Sequence, residues 1–191
     1  SPFYIKPDLV APGAFINTTD INKDYSISSG TSFAAPHVAG AAALILQKNS
    51  QLTPEELKSI LMTTSDTVFD QYGKKFPIEV TGSGRINVSK AIDAELIITP
   101  PNLIFNLSPD NQIQTKYLKI KGINYDTMSV RFEDNQVADF DYIFDNENLV
   151  INAKLIQQNL GEFENKMVIT HNKIDYHIPI IVSVSKATIM V

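Results

Sequence analysis

Chemistry is most strongly indicated by the segment from Gly30 to Gly40, which reads GTSFAAPHVAG. A Gly-Thr-Ser turn opens directly into a run of small and aliphatic residues that predicts a buried helix. Ser32 therefore stands at a helix N-terminus, where backbone N–H groups have no partner within the helix. Such groups stabilise negative charge that develops on a carbonyl oxygen. The segment is compatible with a serine nucleophile, although a serine before an alanine-rich helix is more often only an N-cap.

His37 lies five residues after Ser32 on the same predicted helix and is a candidate for the general base. Five steps of about 100° place it roughly 140° around the helix and about 7.5 Å along its axis, too far for a hydrogen bond to the Ser32 hydroxyl. We therefore predict that His37 is a buried packing residue. His171 and His177 have no motif around them, and Asp8 is expected to be a turn or cap residue.

Two helices are predicted in the first half of the chain. The apolar run from Ser32 to Gln47 predicts a helix that must be buried on every side. The second helix begins after Thr53, a predicted N-cap that is followed by a proline and by Glu56, which closes a capping box. This helix is expected to end near Thr64.

The second half of the chain, after a Pro-Pro pair, predicts short strands instead. Its segments are rich in Ile, Val, Phe, Tyr and Thr and are separated by polar or glycine-containing turns. Several such strands at short intervals predict an antiparallel β-sandwich. The predicted strands are 103–107, 112–120, 128–132, 148–153, 166–170 and 176–184.

Composition excludes several classes of function. The chain has 16 Lys and Arg against 21 Asp and Glu, and this net charge of -5 offers no electrostatic basis for binding nucleic acid or an anionic membrane. The absence of Cys excludes disulfides, thiolate zinc sites and cysteine nucleophiles. No apolar run reaches the roughly 20 residues that a membrane-spanning helix needs.

An acidic stretch without Lys or Arg lies in the second half. Calcium binds carboxylate oxygens, so the stretch is a candidate calcium site. No ligand spacing is visible, however, and a solvated edge of the sandwich is the preferred interpretation, so no cofactor is required. The residues are Glu133, Asp134, Asp139, Asp141, Asp145 and Glu147.

The full string GTSFAAPHVAG resembles the active-serine signature of the subtilisin-like serine proteases, the subtilases of the peptidase S8 type. Two further segments resemble the same family in the expected order: KPDLVAPG at 6–13, before the serine motif, and GSGRINV at 82–88, after it. The resemblance covers about half of the chain and corresponds to roughly the last third of the family's catalytic domain.

The resemblance implies that Ser32 is the nucleophile that attacks the scissile peptide carbonyl, with its backbone N–H as one oxyanion donor. Thr31 and Gly30 would flank the oxyanion site, Phe33 would lie on the leaving-group side, and Ser29 stands where many members have Asn. No Asp in the chain has Gly two residues later and no His is followed by Gly. The motifs that carry the family's catalytic Asp and His are therefore absent.

We expect an α/β fold for residues 1–94, as the C-terminal segment of a subtilase catalytic domain. Residues 95–191 are expected to form an accessory β-sandwich that resembles fibronectin type III, on the pattern IITP at 97–100 followed by LIF at 103–105. The uncovered apolar helix implies a partner. The expected partner is an N-terminal part of the same protease that bears the catalytic Asp and His, and a homodimer is the next possibility.

The expected function is hydrolysis of peptide bonds through an acyl-enzyme on Ser32, with a polypeptide as substrate and with the chain inactive by itself. A secreted, microbial protease is expected. The alternative is a catalytically inert chain whose β-sandwich acts as a binding or spacer module.

Overall fold

A computed structural model describes residues 5–21, 24–122, 128–133 and 136–186. The helices are α1 (Thr31–Lys48), α2 (Pro54–Thr63), α3 (Ile78–Thr81) and α4 (Val88–Asp93). The strands are β1 (Ile16–Thr19), β2 (Tyr25–Ser28), β3 (Ile97–Thr99), β4 (Leu103–Leu107), β5 (Ile113–Lys121), β6 (Met128–Glu133), β7 (Ala138–Asp145), β8 (Asn148–Leu155), β9 (Gly161–His171) and β10 (Ile174–Val184). None of the described helices is both long and apolar enough to cross a lipid bilayer.

Helix α1 is not buried on every side, which corrects the prediction from its apolar sequence. Ala41 and Ile45 are buried where the helix packs against α2 and α4. The other faces remain accessible, and the side chain of Leu44 is 48% exposed. The sequence pattern shows how apolar a helix is, but burial also requires neighbouring elements. Among the described residues, such neighbours pack against one side of α1 only.

The α/β layout expected for the first half is not formed by its described residues. They contain the four helices and one two-stranded antiparallel hairpin, in which β1 pairs with β2 from Ile16 opposite Ser28 to Thr19 opposite Tyr25. Val10 and Asp66 each form an isolated bridge with Arg85. A layered α/β structure would need strands from outside these residues.

Helix α2 begins with the predicted capping box. The Thr53 hydroxyl accepts the backbone N–H of Glu56 at 3.2 Å, and the Glu56 carboxylate accepts the N–H of Thr53 at 2.9 Å. The helix is buried along the continuous run Ser59–Thr63, because it contacts α1 and α4 on one side and β3 and β10 on the other. Helix α2 therefore joins the helical half to the strands.

The second half is a β-sandwich, as predicted. Its two four-stranded sheets have the orders β4-β10-β9-β6 and β3-β5-β8-β7. One pair departs from the predicted antiparallel arrangement, because β10 runs parallel to β4, with Ile180 opposite Leu103. Tight hairpins enforce antiparallel pairing between consecutive strands. β4 has both of its sequence neighbours in the other sheet, so no hairpin fixes its direction relative to β10.

The sandwich encloses a core separate from that of the helices. Phe105, Leu118 and Tyr176 are among its fully buried side chains. The rings of Phe132 and Phe140 stack with centroids 5.1 Å apart. The helical half has its own cluster around Ala41, Ile45, Ile60, Leu61 and Ala91.

Three of the six acidic residues lie on the sheet edge that the sequence suggested. β7 is the outer strand of its sheet, and Asp139, Asp141 and Asp145 are exposed on it. Glu133 differs, because it is half-buried on β6 and pairs with Lys166 at 2.8 Å. Asp134 lies outside the described residues. Among the described residues, no group of three or more His, Asp or Glu side chains is placed to bind a metal ion.

Candidate active site

Ser32 is exposed in the first turn of α1, one residue after the helix begins. The N-cap is Gly30, which has no side chain to accept the free N–H groups of that turn. The N–H of Phe33 folds back onto the Gly30 carbonyl at 3.0 Å. The N–H groups of Thr31 and Ser32 are left at the helix end, where the helix dipole favours negative charge. A hydroxyl and backbone donors for an oxyanion therefore lie together.

Two hydrogen bonds to residues 13–15 hold the turn that carries Ser32. The N–H of Gly30 donates to the carbonyl of Gly13 at 2.7 Å. The N–H of Phe15 donates to the hydroxyl of Ser29 at 2.9 Å. Ser29, which the sequence placed beside the substrate, thus ties Phe15, the residue before β1, to the residue before the turn.

Gly13 is a site residue to which the sequence assigned no role. A Cβ at this position would lie 2.8 Å from the Gly30 carbonyl oxygen and 3.1 Å from the Cβ of Ala34. Only a residue without a side chain fits there without displacing the serine turn. The available signal was its place at the end of the KPDLVAPG segment.

The structure brings the three motif segments into one hydrogen-bonded unit. The N–H of Val10 donates to Gly84 O at 2.9 Å, and the N–H of Ile86 donates back to Val10 O at 2.9 Å. The N–H of Ser83 donates to Asp8 O at 3.0 Å. The first segment therefore lies between the Gly-Ser-Gly turn and the serine turn and holds both.

His37 is exposed, which corrects the prediction that it is buried. It lies on a part of α1 that no described element covers. Its Nδ1 lies 2.8 Å from the carbonyl oxygen of Phe33, one helical turn earlier, and donates to it. The imidazole is thus tied to the helix backbone, and the structure brings no histidine to Ser32 among the described residues.

Asp8 is an ion-pair residue and not an isolated carboxylate. Its two oxygens lie 2.8 Å from Lys6 Nζ and 2.9 Å from Lys58 Nζ. Partial burial raises the pKa of the Asp8 carboxyl, but the hydrogen bonds and charges of the two lysines outweigh it, and the pKa is lowered overall. This carboxylate is committed to lysines and orients no histidine.

The other predicted site residues flank Ser32. Thr31 is exposed as the first residue of α1, and Phe33 is half-buried. The Phe33 ring lies close to the turn, since a Cβ placed on Gly30 would be 3.7 Å from its Cδ2. These positions allow the roles that the resemblance implies, and those roles remain predictions.

The first 88 residues match the model of the subtilase family, Peptidase_S8. Subtilisin-like protease SBT2.6 of Arabidopsis thaliana is 39% identical over 135 residues, which cover 57% of this chain and 16% of that protein. Minor extracellular protease Vpr of Bacillus subtilis (strain 168) is 36% identical over 102 residues, which cover 50% of this chain and 13% of that protein. The matched part of the chain spans less than a fifth of either relative.

Solved structures give weaker likenesses. The M1 domain from titin aligns with a TM-score of 0.36 and 7% identity, over 50% of this chain and 100% of that one. The titin M4 domain also gives a TM-score of 0.36, with 14% identity over 47% of this chain and 95% of that one. Scores at this level do not establish a common fold, so the likeness of the sandwich to fibronectin type III stays a prediction.

The relatives come from a plant and a bacterium, so they lend no support to a microbial origin in particular. The first 88 residues, which carry Ser32, match the subtilase family model, and the relatives that this chain resembles are subtilisin-like and extracellular proteases.

Proposed function

We propose that this chain is part of a secreted serine endopeptidase in which Ser32 is the nucleophile. The observation that carries the proposal is the exposure of Ser32 in the first turn of α1, beside N–H groups that the helix itself does not use. The match of residues 1–88 to the subtilase family supports a peptidase rather than another acyl-transfer enzyme. The extracellular relative in B. subtilis supports secretion.

In the proposed reaction, the Ser32 hydroxyl oxygen bonds to the carbonyl carbon of a peptide while its proton passes to a general base. The carbonyl oxygen becomes an oxyanion, which the N–H of Ser32 stabilises, with Thr31 and Gly30 beside it. The C–N bond then breaks, the base returns the proton to the leaving amine, and an acyl-enzyme remains on Ser32. Water, deprotonated by the same base, then bonds to the acyl carbon, the ester C–O bond to Ser32 breaks, the base returns the proton to the serine oxygen, and the acid product leaves.

The base and its orienting carboxylate must come from outside the described residues. His37 is bonded to the Phe33 carbonyl and Asp8 is bonded to two lysines, so neither fits. We propose that an N-terminal part of the same protease supplies both groups, and that the chain is inactive without it. Removing triad members from such enzymes leaves only a small residue of catalysis.

The uncovered faces of α1 support that partner. Ala35, Ala39 and Ala43 are exposed at intervals of four residues, so they line one face of the helix, and Leu44 lies beside them. Small side chains allow close approach of another element, and the apolar area would be removed from water on docking. We propose that the missing N-terminal part covers this face and completes the α/β layout.

We also propose that the chain divides at about residue 94 into a catalytic segment and an accessory sandwich. The two separate hydrophobic clusters support this division. The alternative is a catalytically inert chain whose β-sandwich acts as a binding or spacer module, and in either case α2 packs against β3 and β10.

The proposal is tested by peptide hydrolysis with the chain joined to the N-terminal part of its own protease. We expect Ser32→Ala to lower kcat by several orders of magnitude, a size of effect established on subtilisin, a member of this family. Ser50→Ala is the matched control, because Ser50 is exposed just beyond the other end of the same helix. Equal activity of the two variants would exclude Ser32 as the nucleophile and favour the inert alternative.

A further inference from the structure

The β-sandwich docks onto the helical half through a continuous joint. The hydroxyl of Ser59 on α2 donates to the carbonyl of Ile98 on β3. The N–H of Ile78, which begins α3, donates to the carboxylate of Glu164 on β9 at 2.6 Å. The hydroxyl of Tyr176 on β10 accepts the N–H of Glu95 at 2.9 Å. We call this set of contacts the sandwich joint.

A small cavity of about 20 Å³ lies in the sandwich joint, between the 82–84 turn and strands β9 and β10. Its walls include Ser83, Lys166 and His177. The Ser83 hydroxyl oxygen and the His177 Nδ1 are both shielded from solvent and have no hydrogen-bond partner among the described residues. A buried histidine nitrogen without a partner is a position where adding a proton would be costly.

The other side of the His177 ring is anchored to the helical half, because the ring also hydrogen-bonds to the backbone of Ser65. A carbonyl acceptor at Ser65 requires the ring nitrogen there to carry the hydrogen, which leaves Nδ1 unprotonated in the neutral ring. His177 thus connects β10 to the same loop whose Ser65 hydroxyl donates to the carbonyl of Ser83 at 2.7 Å.

Charged groups face His177 from each element packed against it. Burial lowers the pKa of His177 most, Lys166 and Lys90 lower it further, and Asp175 and the Ser65 backbone raise it, with a net lowering. Two of these cations are themselves paired, Lys166 with Glu133 at 2.8 Å and Lys90 with Asp66 at 2.7 Å. The facing charged groups are Asp175 on β10, Lys166 on β9, Glu133 on β6, Lys90 on α4, Asp66 in the loop after α2, and Lys75 on the cavity wall.

We propose that the sandwich joint is sensitive to pH and that His177 is its titrating group. Neutral His177 keeps the joint closed, and protonation of Nδ1 places an unpaired cation beside Lys166 in a cavity too small for more than about one water molecule. The proposal concerns the docking of the two halves and does not depend on Ser32 being a nucleophile.

The direction of the effect follows from linkage. The pKa of His177 is below that of an accessible histidine, about 6.5, so the undocked chain binds the proton more readily. The stabilisation is complete above pH ~6.5 and is lost as pH falls from there toward the pKa in the closed joint. The joint carboxyls of Asp66, Glu133 and Asp175 have lowered pKa values, so they lose their charge only in a separate, more acidic range.

The test is urea unfolding of the 191-residue chain at pH 7.5, 6.5 and 5.5, with His177→Gln as the variant. Glutamine keeps a donor for the Ser65 carbonyl and cannot be protonated in this range. We expect the urea midpoint of the unmodified chain to fall between pH 7.5 and 5.5, and that of His177→Gln to fall clearly less. His37→Gln is the control, because His37 is exposed on α1 away from the joint, and it should behave as the unmodified chain.

Proton-coupled ¹⁵N spectra of histidine-labelled chain give a second, direct readout. We expect His177 to be the Nε2–H tautomer at pH 7.5 and to titrate below the midpoint of a free histidine peptide. A normal or raised midpoint would overturn the proposal, and this result stands even if His177→Gln fails to fold. An undiminished loss of stability in His177→Gln between pH 7.5 and 5.5 would equally contradict it.

Discussion

The serine turn depends on a residue that has no side chain. At Gly13, an added Cβ would lie 2.8 Å from the Gly30 carbonyl oxygen, a contact with backbone that cannot rotate away. We predict that Gly13→Ala destabilises the chain by about 1–3 kcal/mol, the usual cost of forcing an extra carbon into a packed site. Urea unfolding at pH 7.5 measures it.

Gly40→Ala is the matched control for Gly13→Ala. A Cβ there meets nothing within 4 Å, and the position lies inside α1. Replacing a helical glycine by alanine stabilises by roughly 0.5–1 kcal/mol, so Gly40→Ala should raise the midpoint. If both substitutions changed stability equally, the close contact at Gly13 would have no role in holding the turn.

The positions of some site residues could be predicted from the sequence, whereas the environments of others could not. The GTS string predicted Ser32 at a helix N-terminus, because that placement depends on local chain geometry. It predicted the wrong environment for His37, because burial depends on elements far away in the sequence. The position of Gly13 at the end of the KPDLVAPG segment was a signal in the sequence, but its close contact with Gly30 is seen only in the fold.

At the scale of elements, the carboxylate of Glu56 stabilises both the start of α2 and the contact of α2 with the sandwich. Glu56 closes the capping box and also pairs with Lys121 on β5. The hydrogen bond from Lys121 and that from the Thr53 backbone lower the pKa of Glu56 to about 2. Its stabilisation is therefore complete above pH ~4.5 and is lost as pH falls from 4.5 toward 2.

We predict that Glu56→Gln makes stability less dependent on pH between 4.5 and 2.5 than it is in the unmodified chain. Thermal unfolding followed by circular dichroism across this range is the measurement. Glu55→Gln is the control, since Glu55 is the exposed neighbour in the same helical turn. Parallel pH profiles for the unmodified chain and Glu56→Gln would show that the carboxylate adds nothing to the joint between α2 and β5.

Helices and strands with a clear local sequence pattern were predicted. Features that depend on contacts between distant parts of the chain were not. The apolar run located α1, and the capping box and periodicity located α2, each to within about one residue; segments rich in Ile, Val, Phe, Tyr and Thr between turns located six strands. β7 was interpreted only as an acidic edge, because its aspartates hide the apolar alternation. The parallel pairing of β4 with β10 is a property of the whole sandwich, and no local pattern records it.

At the scale of the whole molecule, one face of α1 is incomplete. Leu44 is 48% exposed there, and burying a leucine side chain contributes about 1.5–3 kcal/mol. We predict that Leu44→Glu weakens binding to the N-terminal part of the protease by more than tenfold and leaves the fold of the chain intact. Isothermal titration calorimetry measures the affinity, and circular dichroism the fold.

Gln158→Glu adds the same charge to an exposed position between β8 and β9, away from α1, and should bind as the unmodified chain does. A similar loss of affinity in both variants would mean that net charge, and not the apolar face, governs the association.

The most direct test of the account is the site of covalent modification by a fluorophosphonate. The chain is treated alone and together with the N-terminal part of its protease, and the adduct is located by peptide mass spectrometry. We expect no adduct on the chain alone and a single adduct on Ser32 in the assembled protein. An adduct on another residue, or no adduct in a stable complex, would contradict the assignment of Ser32 as the nucleophile.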